Sequence, residues 1–151
     1  VLLEVPEPAA AGLERILVPA LEDAGCPVRE IAAVPAGAAG PEGEVRRLLR
    51  EECRFVLVVG GDGEWGGVPD LLTPLVERPV PGIPETIRQQ GLALTPLAVL
   101  FRGGAGLTRD GALLVQLPAE EEWLRRSLFF LAAVLGHALS KAAGDPGECA
   151  R

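Results

Sequence analysis

The sequence predicts an α/β domain built as a three-layer α/β/α sandwich, with helices on both faces of a mostly parallel sheet. Three observations predict it. Short apolar runs alternate with segments of helical periodicity, the pattern of a doubly wound sheet. One run, Phe55–Val59 (FVLVV), is unbroken, as in a parallel strand buried on both faces. Glycine-rich turns directly follow apolar runs, where an open sheet hands the chain to its loops.

Val1–Val5 is a short apolar run and reads as the first strand. Ala9–Ala24 places Leu13, Ile16, Leu17, Ala20, Leu21 and Ala24 at three-and-four spacing, which makes one buried helix face, and Gly25 stands where a C-terminal cap belongs. Val28–Val34 reads as a strand, and the Ala-, Gly- and Pro-rich stretch Pro35–Pro41 as a loop. Next comes a helix with Val45, Leu48, Leu49 and Cys53 on one side and Arg46, Arg47, Arg50 and Glu51 on the other. FVLVV then forms a central strand. Helices are expected near Leu71–Glu77 and Glu85–Gln90, and a strand at Leu97–Phe101 opened by Pro96. Asp110-Gly111 signals a hairpin between Ala105–Thr108 and Ala112–Leu117, so that Arg102 and Pro118 finish at one end of the sheet. The closing helix, Glu120–Ala142, carries the stripe Leu124, Leu128, Leu131, Leu135 and Leu139, with Trp123 as a packing residue. A single domain over residues 1–151 is expected, with 144–151 as a disordered tail.

Composition narrows the function classes. With 48% hydrophobic residues the chain has ample material for a core, and its 19 glycines and 14 prolines are dispersed as punctuation rather than gathered in a low-complexity tract. A net charge of -7 disfavours nucleic acid, whose binding rests on Lys/Arg neutralisation of phosphates. The longest apolar run, Leu128–Leu135, is far short of the roughly 20 residues that span a bilayer. Val1–Val5 carries Glu4 and no basic flank, unlike a signal peptide, and Cys26, Cys53 and Cys149 are odd in number and far apart. The expectation is a cytoplasmic protein with free thiols and no membrane partner. His137, the one histidine, has no Cys at ligand spacing and is assigned a structural role.

Three segments are placed to carry chemistry at the carboxyl ends of strands: Gly60-Gly61-Asp62-Gly63 after FVLVV, Arg102-Gly103-Gly104 after LAVLF, and Leu117-Pro118-Ala119 after ALLVQ. A GGxG turn lets backbone amides approach an anion without Cβ obstruction, and a nearby arginine can clamp a phosphate. Each signal alone is also explained without a ligand: glycine turns follow strands for geometric reasons, and a lone arginine is commonly solvated or ion-paired.

Together, in order and spacing, VVGGDG (Val58–Gly63), Leu72-Thr73-Pro74, Pro81–Ile83 leading to Glu85 and Arg88, Arg102-Gly103 with Ala105-Gly106, Leu117-Pro118 and Leu135–Leu139 resemble the MoaB/Mog-type molybdopterin-binding family of molybdenum-cofactor biosynthesis. The resemblance runs from about Val34 to Gly144. It implies the molybdopterin-binding α/β fold, a homotrimer, and either adenylyl transfer to molybdopterin from ATP with magnesium (Mg2+) or ligand binding alone. It further implies that Gly60, Gly61 and Gly63 cradle phosphate or pterin, that Thr73, Arg102, Gly103 and Pro118 line the same pocket, and that Asp62 and Asp70 are the candidate catalytic and metal-holding acids.

The chain departs from the family pattern at several of these positions. Asp62 stands for the usual threonine, the stretch Glu64–Asp70 is longer, and the register of Asp70 against Thr73-Pro74 is shifted by one, with Glu64 the second candidate for the displaced acid. Ala36 follows Val34-Pro35 where an acid is usual, with Glu42 or Glu44 as substitutes or as first-turn helix residues. Phe101 replaces a serine and Ala119 a glycine, and Trp65 is placed to stack on a flat pterin or adenine, to anchor its loop or to make a subunit contact. Three functions follow: a pterin- or nucleotide-binding member with weakened or lost catalysis, an active molybdopterin adenylyltransferase, and a generic nucleotide-binding α/β domain binding ATP or AMP.

Overall fold

The computed structural model describes residues 1–4, 7–34, 40–61 and 72–144. Its chain runs β1 (Leu2–Glu4), α1 (Glu7–Asp23), β2 (Ala32–Ala33), α2 (Gly40–Arg50), β3 (Phe55–Gly60), β4 (Arg78–Pro79), α3 (Gly82–Leu92), β5 (Ala105–Leu107), β6 (Leu113–Leu117) and α4 (Glu121–Ala142), with 3-10 turns at Thr73–Leu75 and Pro96–Leu100. The strands form one sheet of order β2-β1-β3-β6-β5-β4. The first four in that order are parallel, while β5 and β4 join antiparallel.

Strand β3 alternates between two cores. Leu57 and Val59 pack with α1 residues Leu13, Leu17 and Leu21 and with the α4 stripe Leu124, Leu128, Leu131 and Leu135. Val56 and Val58 pack on the opposite face with Val45 and Leu48 of α2, Leu72 and Leu114. The unbroken apolar run of β3 is therefore the direct consequence of having helices on both sides. The chain leaves β1 in one direction to reach β2 and returns past β1 to β3; right-handed crossovers in opposite directions put α1 and α2 on opposite faces.

Helix α1 stops as its sequence predicts. Gly25 adopts φ +73°, its N–H donates to the Glu22 carbonyl (2.9 Å), and the Cys26 N–H donates to the Leu21 carbonyl (2.8 Å), a Schellman closure. The β5–β6 hairpin is also as expected, with Gly111 at φ +77° and the Thr108 N–H donating to the Ala112 carbonyl (2.9 Å). Helix α4 begins at Glu121, capped by the Glu120 carboxylate, which accepts from the Glu122 and Trp123 N–H groups. Among the described residues no helix is long and apolar enough to cross a membrane.

Three elements differ from expectation. Val28–Val34 contributes only Ala32–Ala33 to the sheet, as a short edge strand. In the segment expected as a helix at Leu71–Glu77, Leu71 lies outside the described residues, Leu72 is helical, Thr73–Leu75 form a 3-10 turn, and the chain then becomes β4, another two-residue edge where Pro79 costs no ladder bond. The expected strand Leu97–Phe101 is a 3-10 turn instead: Thr95 Oγ1 accepts from the Leu97 N–H (3.2 Å), Pro96 takes the first turn, and only Ala98 and Phe101, one 3-10 turn apart, face inward. Arg102-Gly103-Gly104 therefore leads into β5 rather than following a strand. His137 is exposed on α4, so the structural role expected for it is not core packing. Cys149 and the expected tail beyond Gly144 lie outside the described residues.

Candidate functional site

The parallel register fixes what meets at the carboxyl end of the sheet. Val59 pairs with Leu117 and Glu4 with Gly60, so the turn after β3 lies between the ends of β1 and β6, beside the point where the strand order reverses direction. Gly60 and Gly61 take φ values of +96° and +66°. Two successive left-handed residues are open to glycine without the Cβ penalty, so the turn itself requires both.

The segment before β5 reaches the same end. Because β5 runs antiparallel to β6, with Ala105 opposite Val115, Gly104 lies beside Gln116, whose backbone N–H donates to the Gly104 carbonyl (2.9 Å). Arg102 is exposed on this segment, and Pro118, directly after β6, is buried. Gly60, Gly61, Arg102, Gly103 and Pro118 are thus gathered at one end of the sheet. Thr73, on the 3-10 turn, lines a cavity of about 170 Å³ with Leu72, Val76, Gly104, Leu114 and Gln116, and none of the five residues gathered at that end lines it. Asp62, Gly63, Glu64, Trp65 and Asp70 lie outside the described residues.

Gln116 is the residue that sequence reasoning missed. It is 1% exposed, and its Nε2 donates to the Gly60 carbonyl at 2.8 Å. One side chain and its backbone N–H thereby tie the β3 turn, the Gly103-Gly104 segment and the end of β6 together. The available signal was a lone amide in an otherwise apolar strand, ALLVQL.

Packing explains some of the family-pattern positions without a ligand. A Cβ on Gly103 would sit 2.2 Å from Phe101 Cζ, so Gly103 is glycine because the Phe101 ring covers it. Phe101 is itself a core residue, its ring 5.3 Å from that of Trp123, whose indole N–H donates to the Ile87 carbonyl (2.7 Å). Arg88 Nη1 donates to the Phe101 carbonyl (3.2 Å) and steadies the approach to Arg102. Gly104 differs from Gly103: a Cβ there meets nothing within 4 Å, so open space rather than packing lies beside it. Ala119 is half-buried against the core.

The acids offered as substitutes from α2 are engaged on their own helix. Glu42 pairs with Arg46 (2.7 Å), and Glu44 pairs with Arg47, which also meets Glu30 and Glu51. The hydrogen bond from the Arg47 guanidinium holds the Glu44 carboxyl below its ordinary range. Among the described residues, no group of three or more His, Cys, Asp and Glu side chains is placed to hold a metal. A larger cavity, about 260 Å³, opens beside Cys26, Cys53, Arg54 and Phe55 at the amino ends of the strands. Open α/β sheets bind ligands at the other end, where the glycine turn and the Gln116 junction lie.

These features define an open α/β-sheet protein whose Gly60-Gly61 turn lies at its topological switch point. No protein-family model matches the chain. It is 31% identical over 90 residues to a molybdopterin adenylyltransferase of Haemophilus influenzae, covering 58% of this chain and 45% of that protein. Among solved structures it is similar to MoaB of Thermus thermophilus, with TM-score 0.78, 31% identity and 97% of each chain covered. The Mog protein of Mycobacterium ulcerans gives TM-score 0.79 at 28% identity, covering 93% of this chain and 96% of the other. The chain belongs to the MoaB/Mog-type family of molybdenum-cofactor biosynthesis proteins. It spans less than half the length of the curated relatives it matches.

Proposed function

We propose that this chain binds a pterin or nucleotide ligand, molybdopterin or ATP/AMP, at the carboxyl ends of β3 and β6, with weakened or lost adenylyl transfer. The single observation that carries the proposal is the β3–β6 register, which sets the Gly60-Gly61 turn beside Leu117-Pro118 and the Gly103-Gly104 segment. The ligand class comes from relatives named molybdopterin adenylyltransferase. In this assignment Gly60, Gly61 and Gly63 cradle the phosphate or pterin, while Thr73, Arg102, Gly103 and Pro118 line the pocket. The unit at work is a single domain over residues 1–151, acting in the cytoplasm as a homotrimer.

Loss of catalysis rests on chemistry that has changed. Phe101 offers no hydroxyl, Ala119 adds a methyl where the family pattern has glycine, and Glu42 and Glu44 are ion-paired elsewhere. Asp62 adds a carboxylate to a turn whose amides attract anions. Two unit negative charges about 5 Å apart at an effective dielectric near 20 repel by about 3 kcal/mol, on the order of a hundredfold in affinity. Magnesium, when bound, supplies charge neutralisation, and Asp62 and Asp70 are the residues that would hold it.

The names of the relatives favour one second assignment, an active molybdopterin adenylyltransferase in which Asp62 and Asp70 are the catalytic acids and Arg102 positions the triphosphate. Turnover of ATP and molybdopterin at an ordinary enzymatic rate, abolished by Asp70→Ala, establishes that assignment and removes ours. For our own, calorimetric titration with AMP should show weak binding in EDTA, tighter binding with magnesium, and stronger metal-free binding on Asp62→Thr. Tight wild-type binding in EDTA that Asp62→Thr leaves unaltered would show that Asp62 does not face the ligand.

A further inference from the structure

Gln116 has one unmet need. Its Oε1 is buried and accepts no hydrogen bond among the described residues. The orientation of the amide is set by its neighbour: with Nε2 on the Gly60 carbonyl, Oε1 must be the other atom, because a flipped amide would set two acceptors against each other. Buried acceptors left without a donor are costly and uncommon in native proteins.

Gln116 is also one of the residues that line the 170 Å³ cavity. Leu72, Val76 and Leu114 make most of the rest apolar, and open space adjoins Gly104. The volume is below the about 300–1,000 Å³ of sites that enclose a whole small molecule, so the cavity takes a portion of a ligand, not all of it. A flat heterocycle fits such walls, and only its edge needs a polar partner. The terminal amide torsion of glutamine is soft, so a small rotation that keeps Nε2 on Gly60 turns Oε1 toward a donor in the cavity.

We propose that the cavity bounded by Leu72, Thr73, Gly104 and Gln116 is the ring subsite, and that Gln116 Oε1 selects heterocycles that present an amino N–H. The inference rests on the proposed ligand site at the carboxyl end of the sheet and deepens it. Gln116 would couple two events through one amide: Oε1 reads the ring while Nε2 fixes the carbonyl of the glycine turn that meets the phosphate. Purines and pterins share the amino-bearing edge, and matched pairs of probes separate them.

The test is calorimetry on the full chain with magnesium present. One pair is AMP against purine riboside monophosphate, which lacks the 6-amino group. The other is pterin against 4-oxopteridine, which lacks the 2-amino group. The amino-bearing member of at least one pair should bind about tenfold more tightly, and the pair that discriminates identifies the ring class. Gln116→Met should bring the ratio within that pair close to one, whatever it does to absolute affinity. Equal binding within both pairs, while pyrophosphate still binds, overturns the ring subsite and leaves the phosphate site standing; Oε1 is then satisfied by water. Discrimination that persists in Gln116→Met overturns the role of Gln116. Failure of pyrophosphate and all four probes to bind overturns the carboxyl-end site and this inference with it. If Gln116→Met does not fold, the two wild-type pairs still decide whether the cavity reads an amino group.

Discussion

At the residue scale, two helical glycines with the same local chemistry have opposite roles. A methyl on Gly91 would lie 2.4 Å from Trp123 Cε2 and 2.7 Å from Ala98 Cβ, inside the packing that sets Phe101 against Trp123. A methyl on Gly12, exposed in α1, meets nothing within 4 Å. Alanine favours helix over glycine by about 1 kcal/mol at either place, while overpacking a core costs about 1–3 kcal/mol. Gly12→Ala should therefore stabilise by about 0.5–1 kcal/mol and Gly91→Ala should destabilise by about 1–2 kcal/mol, both read by urea denaturation. A Gly91→Ala protein as stable as the parent would show that the indole can move away. Sequence alone did not separate these glycines, because the contact that decides between them spans α3 and α4. Gln116 was hidden for the same reason: its importance lies in Gly60, 56 residues away, where its Nε2 hydrogen bond ends.

At the element scale, what could be read from the sequence were the elements whose burial matches their period. The α4 stripe and FVLVV declared themselves because one and both faces, respectively, meet a core. LAVLF has the same apolar content as FVLVV and became a 3-10 turn, since Leu97, Val99 and Leu100 face outward and Pro96 with Thr95 nucleates the turn. Apolar content does not reveal on which side the partner lies. Helix ends give a sharper contrast. Helix α2 closes as α1 does, with the Glu52 N–H donating to the Leu49 carbonyl and the Cys53 N–H to the Leu48 carbonyl, but the left-handed position is Glu52 at φ +61° instead of a glycine. A side chain there costs about 1–2 kcal/mol, and the extra backbone freedom of glycine returns about 0.5–1 kcal/mol to the unfolded state. Glu52→Gly should stabilise by about 0.5–1 kcal/mol, measured as a shift of the urea midpoint at constant slope. A loss of stability would mean that the Glu52 side chain makes a favourable contribution exceeding the strain.

At the scale of the whole molecule, the described surface carries a run of exposed apolar side chains around one turn. Scattered apolar residues are ordinary on protein surfaces, but contiguous ones mark interaction sites. Here Leu97, Val99 and Leu100 are 60–68% exposed within one five-residue turn, and Leu92 and Leu94 are exposed just before it. A 3-10 turn with most of its apolar side chains outward gains little from folding as a monomer. Closed assembly of identical copies would remove that surface from water, and a ring leaves no copy of the patch uncovered. The homotrimer proposed above should therefore bury this turn. Light scattering of the native chain should give three times the chain mass at micromolar concentration. Leu97→Ser with Leu100→Ser should shift the population toward monomer while circular dichroism stays unchanged, because neither residue belongs to the buried core. A native chain that is monomeric at that concentration would rule out the trimer. A trimer indifferent to the double substitution would place the interface on another face.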